Sequence, residues 1–235
     1  MTDFLSPLEW EALGLSLKVA VWATLASLPL GLATAWLLAR TRFFGHGLVN
    51  AAVHLPLVLP PVVVGYALLV LLGRSGPLGA WLHEMFGVTI AFTWKGAAIA
   101  AAVMAFPLMV RAMRLSLEAV DPGLEAAART LGASPTRVFL TITLPLMLPG
   151  VVTGAVLAFA RALGEFGATI TFVSNIPGET RTLPLALYTF TQTPGGEAGA
   201  ARLALIAVAV ALAALVVSEI LARRVKKITE GERHD

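Results

Sequence analysis

The sequence predicts an all-α integral membrane protein with about five transmembrane helices. Of its 235 residues, 57% are hydrophobic and 13% are charged, whereas a soluble domain carries about 25% charged residues. Long charge-free stretches recur along the chain, and about 20 helical residues suffice to cross a hydrocarbon core of about 30 Å. Because cysteine is absent, disulfides and thiolate chemistry are excluded.

Five stretches are long and apolar enough to cross a membrane. Three are free of charge over the required length, and two reach it because an end charge, Arg111 or Glu219, can extend to the interface. The count rises to six if the N-terminal helix or the short apolar segment Leu183–Phe190 is counted separately. The five predicted spans are Val19–Ala39, a run within Phe43–Gly73, Gly96–Met113, a run within Val138–Ala160, and Leu203–Leu221.

Shorter helices are predicted outside these spans. Ser6 and Pro7 are typical of the start of a helix, which we expect to be short, amphipathic and on the membrane surface before the first span. The residues before Ala12 include acidic side chains but no lysine or arginine, so a cleaved signal peptide is not expected. Leu78–Phe86 is predicted to be an interfacial helix, and Leu183–Phe190 an interfacial or re-entrant segment.

The distribution of basic residues predicts the orientation. Five spans place the termini on opposite sides, and eleven of the seventeen lysines and arginines fall on one side. By the positive-inside rule that side is cytoplasmic, which puts the N-terminus outside and the C-terminus inside. The net charge of +3 then reflects topology and does not indicate nucleic-acid binding. The eleven residues are Arg40, Arg42, Arg111, Arg114, Arg129, Arg137, Arg223, Arg224, Lys226, Lys227 and Arg233.

A segment of mixed polarity separates the third and fourth spans, on the predicted cytoplasmic side. It is predicted to form two short helices, the first beginning at Asp121–Pro122 and ending at Gly132. The second begins at Ser134–Pro135 by the same cap and proline pattern. Small alanines beside charged residues suit a docking surface for a partner protein.

This segment resembles the EAA loop of permease subunits of bacterial ABC importers. In that motif E-A-A is followed by three residues, a glycine, nine residues and I-x-L-P. Ala127, Ala128, Gly132 and Ile142–Pro145 fit the spacing, while Glu125 stands one residue before the motif glutamate. One residue rotates a helix position by about 100°, so the ion pair that this glutamate makes in relatives is expected to be absent or made from a different angle. Glu125 is therefore expected to be a candidate for the docking surface only. The resemblance implies a coupling loop over 115–145 and ATPase docking by Glu125, Ala127, Ala128 and Gly132.

An ionisable pair follows the start of the fourth span. Arg161 and Glu165 are four residues apart and are predicted to share a helix face. A charge at the bilayer centre costs roughly 2.5–3.5 kcal/mol, so such residues face a partner, a cavity or each other. Gly164 and Gly167 permit either close packing or a local break in the helix. Two interpretations stay open: a neutralised pair near the outer end of the span, or the lining of a gate.

Most of the chain resembles the molybdate permease subfamily of type I ABC importers. The likeness covers Leu15–Arg40, Pro56–Gly79 and Ala160–Glu197. Sulfate permeases share the A-R-A-x-G-E-[FY]-G core, so sulfate and tungstate transport are alternatives. The resemblance implies a homodimer, two cytoplasmic ATPase subunits and an extracytoplasmic oxyanion-binding protein. It also implies a gate or pathway formed by Arg161, Gly164, Glu165, Gly167, Thr169 and Thr171.

Other functional classes fit the sequence less well. No segment matches G-x-x-x-x-G-K-[ST], so we expect one transmembrane domain over 1–235 and no nucleotide-binding domain. The four histidines are too scattered for a metal site, and no cofactor or catalytic residue is expected. A secondary transporter or channel would need ionisable residues at matching places in two halves, whereas one helix holds the pair here.

Overall fold

Helices account for all the regular secondary structure of the described residues. The computed structural model describes the backbone of residues 5–231 and the side chains of residues 5–217 and Ile220. The predicted cytoplasmic side chains Arg223, Arg224, Lys226, Lys227 and Arg233 lie outside that description. The helices are α1 (Pro7–Arg40), α2 (His46–Val58), α3 (Pro61–Leu72), α4 (Pro77–Phe86), α5 (Trp94–Glu118), α6 (Pro122–Thr130), α7 (Pro135–Val138), α8 (Leu144–Leu163), α9 (Gly167–Val173), α10 (Leu183–Thr191) and α11 (Glu197–Gly231).

Four continuous helical runs are long and apolar enough to cross a membrane: α1, α5, the run from α7 through α8, and α11 over Glu197–Val217. The remaining predicted span, within Phe43–Gly73, is broken into α2 and α3, whose axes differ by 115°. Pro60 and Pro61 explain the break, because proline holds the residue before it in an extended conformation. Leu59 and Pro60 accordingly have ψ angles of 143° and 134°.

The broken pair still runs from one end of the bundle to the other. We call the end that carries α6 the α6 end and the opposite one the far end. At the α6 end, Arg114 of α5 donates to the side chain of Asn50 of α2 at 3.0 Å. At the far end, Gly73 after α3 and Phe92 before α5 line the same small cavity. Counted as one crossing, the pair raises the number from four to the five predicted.

The N-terminal prediction is wrong in one respect. Ser6 does cap a helix, with a capping box in which Glu9 Oε2 accepts from the Ser6 amide at 2.7 Å. That helix is α1 itself, 34 residues without interruption, and no separate surface helix precedes the span among the described residues. Pro29 lies within it without ending it.

The second short helix predicted in the polar segment begins at the predicted residues but does not end within the segment. Ser134 caps its start, with the Arg137 amide donating to Ser134 Oγ at 3.3 Å. Instead of ending, α7 continues through a π-helical segment, Phe139–Thr143, into α8. Pro145 explains the π register, because in an α-helix its ring would clash with the Thr141 carbonyl. The Leu144 amide instead donates to the Phe139 carbonyl, five residues back.

The centre of the bundle is α5, which packs against α1 and α8. Small residues permit this close approach, as is typical of helix pairs in lipid. A Cβ atom at Gly150 of α8 would lie 2.1 Å from Ser116 Cβ, and one at Gly154 would lie 3.0 Å from the Met109 carbonyl oxygen. The crossing α8 is thus fixed against α5 at van der Waals distance.

Short helices and buried polar contacts close the far end. The Leu183 amide at the start of α10 donates to Ser16 Oγ at 2.6 Å. Glu9 is fully buried and forms an ion pair with Arg202 of α11 at 3.0 Å. The short helices predicted around Leu78–Phe86 and Leu183–Phe190 are confirmed as α4 and α10, and neither is long enough to cross a membrane.

Substituting Gly65 tests the close packing of α3 on α9. A Cβ atom there would lie 2.5 Å from the Ala168 carbonyl oxygen, so Gly65→Ala should lower the free energy of unfolding by about 1–3 kcal/mol. Thermal unfolding of the purified protein in detergent measures this. Gly14→Ala is the matched control, because a Cβ atom at Gly14 of α1 meets nothing within 4 Å. Equal melting temperatures for the two variants would contradict the packing.

Candidate functional site

A polar cluster at the α6 end joins three helical segments through one carboxylate. Glu125 Oε1 accepts from Arg40 Nη2, at the end of α1, at 3.0 Å and from Thr143 Oγ1, at the end of the π-helical segment, at 2.7 Å. Arg40 Nη2 also approaches the Val120 carbonyl oxygen at 3.5 Å. The side chains of Arg40 and Glu125 are 20% and 15% exposed. The cluster therefore lies between the elements and away from bulk solvent.

Of the two outcomes left open for Glu125, the structure shows an ion pair made from the shifted position, and the side chain is half-buried although a surface position is expected. The one-residue shift from the motif position turns its side chain inward, towards α1, while Ala126 at the motif position is exposed. This is the physical consequence of the roughly 100° that separates neighbouring helix positions. The ion pair of Glu125 within the described chain is made with Arg40.

The other predicted docking residues lie on the surface of α6. Ala127 is exposed and Ala128 is half-buried. Gly132 ends the helix as predicted, with a φ of +84° that glycine adopts without strain. The Ala133 amide then donates to the Ala128 carbonyl oxygen at 3.1 Å, as in a Schellman cap.

Two exposed leucines lie next to these residues and are not among the predicted docking residues. Leu124 is 43% exposed and Leu131 is 88% exposed. Together with Ala127 they follow the i, i+3, i+7 spacing that places residues on one face of a helix. That spacing is readable in the sequence, but only the structure shows that this apolar face is uncovered.

A second polar cluster lies at the far end, where α8 gives way to α9. Glu165 is 3% exposed, and its Oε2 atom pairs with Arg161 Nη1 at 2.5 Å. Its Oε1 atom accepts from the Ala168 amide at 2.8 Å, in the first turn of α9. The carboxylate thus neutralises the Arg161 guanidinium and also accepts from a backbone amide that has no partner within α9.

The shared helix face predicted for this pair is wrong, because α8 ends at Leu163 and Glu165 lies in the break before α9. The pair forms nevertheless, since the Glu165 amide still donates to the Ala162 carbonyl oxygen at 3.2 Å and keeps the chain turning. Of the two roles left open for the glycines, each takes one. Gly164 lies in the break, and Gly167 packs closely, with its Cβ position 2.7 Å from Pro61 Cβ.

The two predicted gate threonines face the interior of the chain. Thr169 is 1% exposed. Thr171 donates to the Gly167 carbonyl oxygen at 2.9 Å and abuts the Gly65 position of α3. The structure therefore brings all six predicted gate residues together where α8, α9 and α3 meet. Of the charged pair, Arg161 is the more exposed, with 27% of its side chain accessible.

Metal binding is not indicated by the part of the chain that the structure describes. No three histidine, aspartate or glutamate side chains there come together as ligands. His46 Nε2 instead lies 3.0 Å from the Leu38 carbonyl oxygen, and His54 Nδ1 lies 2.8 Å from the Asn50 carbonyl oxygen. These are packing contacts within and between helices.

Comparison with known proteins places this architecture in a family. Residues 27–227 match the family described as "Binding-protein-dependent transport system inner membrane component". The molybdenum transport system permease protein ModB of Escherichia coli (strain K12) is 66% identical over 215 residues, which are 92% of this chain and 94% of that protein. The probable sulfate transport system permease protein cysT of Chlorokybus atmophyticus is 39% identical over 173 residues, which are 74% of this chain and 60% of that protein.

Among solved structures, a bacterial ABC transporter involved in the import of the acidic polysaccharide alginate superposes with a TM-score of 0.76 at 18% identity, over 95% of this chain and 82% of that chain. This likeness confirms the predicted fold of an ABC importer permease. With most of its length matched, the chain belongs to the family of binding-protein-dependent transport system inner membrane components and is a multi-pass protein of the inner membrane.

Proposed function

We propose that the chain is the permease subunit of an ATP-driven importer of molybdate. The observation that carries the proposal is the 66% identity to a molybdenum transport permease across nine-tenths of the chain. The relative named for sulfate transport is 39% identical over a shorter part. ATP hydrolysis is assigned to a separate subunit, because the sequence has no phosphate-binding loop.

The proposed assembly contains two copies of this chain, two cytoplasmic ATPase subunits and an extracytoplasmic oxyanion-binding protein. The α6 end is the cytoplasmic one, which puts the N-terminus outside. Arg40, Arg42, Arg114, Arg129 and Arg137 support this, because all lie in or beside the segments of that end.

The ATPase docks on the uncovered apolar face of α6 formed by Leu124, Ala127 and Leu131. A short helix with one apolar face fits a groove of a partner protein, and small residues permit close approach. When the ATPases close on ATP they pull on this helix, and the two permease copies rock from inward-open to outward-open. The 43% and 88% exposure of the two leucines supports this docking face.

At the far end, the pair of Arg161 and Glu165 keeps the permeation route from repelling an oxyanion. The Glu165 carboxylate of each copy is buried and paired with Arg161, whose side chain is 27% exposed, so a passing dianion meets the arginine and not an unpaired carboxylate. A conduit that is fed by a binding protein needs no tight site of its own, so specificity resides mainly in delivery. Glu165 acts on gating and assembly.

Uptake of radiolabelled molybdate into proteoliposomes tests the proposal. The complex is reconstituted with its ATPase and binding protein. Uptake should require ATP inside the proteoliposomes, on the side of the membrane where the ATPase lies. Excess sulfate should leave uptake unchanged. Inhibition by sulfate as strong as that by unlabelled molybdate would assign the chain to sulfate, and much stronger inhibition by tungstate would assign it to tungstate.

Gly132→Leu should uncouple transport while leaving the protein inserted in the membrane. Leucine at a φ of +84° costs about 1–2 kcal/mol and distorts the end of α6, which should reduce ATP-driven uptake at least about tenfold. Uptake and co-purification of the ATPase are measured together. Gly87→Leu is the matched control, since Gly87 also has a positive φ, of +65°, and open space around it, but lies at the far end. Normal uptake by Gly132→Leu would contradict the docking assignment.

Glu165→Gln should impair gating or assembly without changing which oxyanion is carried. The side-chain oxygen of the introduced glutamine still accepts from the backbone amide of Ala168. Arg161 loses its counter-charge, which should lower the free energy of unfolding by roughly 1–2 kcal/mol. Thermal unfolding and competition between molybdate and sulfate measure the two effects. Glu84→Gln, at an exposed position of α4, serves as control. A changed oxyanion preference would refute the picture of a neutralised pair.

A further inference from the structure

The docking helix α6 has little apolar packing to hold it in place. It has nine residues, none of which is buried. Its outer face is uncovered, so its position relative to the crossings depends on contacts of its inner face. Among the described side chains, the shortest polar link from that face to another helix is made by Glu125.

Glu125 makes this link with a single oxygen atom. Arg40 is the last residue of α1, and Thr143 is the last residue of the π-helical segment that leads into α8. Both donate to Oε1, at 3.0 and 2.7 Å. A displacement of α6 is therefore transmitted to two crossings through one atom, and hydrogen bonds to a charged, half-buried group are the stronger kind.

Thr143 lies where the α7–α8 run departs from α-helical bonding. The Leu144 amide donates to the carbonyl oxygen five residues back. Such π-helical turns are rare in proteins, and those that occur are frequently at functional sites. The bond from Glu125 thus ends at the irregular turn through which the run enters α8.

A cavity lies next to the cluster. It has a volume of about 530 Å³ and lies between α1 and the segment from α6 to the π-helical turn. Glu125 and Thr143 form part of its wall, opposite Leu32 and Trp36 of α1. Apolar packing therefore does not fill the space between α6 and α1, and the polar contacts of Glu125 bridge the two helices beside it.

We infer that Glu125 is a positioning residue that ties the docking helix to α1 and to the π-helical base of α8, so that ATPase movement reaches both crossings together. Its hydrogen-bond partners in the described structure, Arg40 and Thr143, belong to its own chain. This inference rests on the proposed function, since it assigns the internal route by which force from the docked ATPase enters the membrane.

The test compares the number of oxyanions imported per ATP hydrolysed by the reconstituted complex. Glu125→Ala should lower this ratio at least about fivefold while the ATPase still co-purifies. Thr143→Val removes one of the two donors and keeps the side-chain shape, so it should lower the ratio less. Glu118→Ala is the control, because Glu118 lies at the same end in an exposed pair with Arg114 and should leave the ratio unchanged.

A double-mutant cycle separates this route from independent effects. Since both donors act through Glu125 Oε1, the variant with Glu125→Ala and Thr143→Val together should equal Glu125→Ala alone. Multiplying effects would overturn the inference, as would release of the ATPase by Glu125→Ala or wild-type ratios in both single variants. Failure of the proposed function looks different, because the wild-type complex itself would then import no molybdate, and the ratio would be read with sulfate or tungstate.

Discussion

The structure depends on the need to satisfy backbone hydrogen bonds without help from lipid. Each interruption of a crossing is built so that few donors are left over. Between α2 and α3 the chain uses Pro60 and Pro61, which have no amide hydrogen to satisfy. Between α8 and α9 the side chain of Glu165 accepts from the Ala168 amide. Before α8 the helix changes to π bonding instead of breaking at Pro145.

The same constraint explains why ionisable groups are found where they are. Glu165 is buried because it substitutes for missing backbone acceptors at a helix start, and Arg161 balances its charge. Glu125 is half-buried because it joins segments whose own packing is sparse. Both carboxylates therefore have an architectural task first, and their part in transport follows from the elements that they connect. The two clusters lie at opposite ends of the bundle, one where force is proposed to enter and one beside the proposed permeation route.

Much of the site could be predicted because helix caps and helix ends depend on local sequence. Ser134 and Gly132 were readable as helix ends, since cap residues and positive φ angles depend on a few neighbouring residues. The direction of the Glu125 side chain was not readable in the same way. Its partners Arg40 and Thr143 are 85 and 18 residues away in the chain, and no local pattern joins them.

Hydropathy, length and cap residues act over short stretches, so the membrane class, the apolar helices and the short helices at the ends could be predicted from the amino-acid sequence. The polar character of the segment between the third and fourth predicted spans could be predicted in the same way. Three features depend on packing between elements: the second helix of this segment runs on into α8, Glu125 faces inward, and Leu124 and Leu131 are uncovered. Burial and ion pairing join residues that are distant in the chain, and the helical period predicts which way a side chain points but not which residue it contacts.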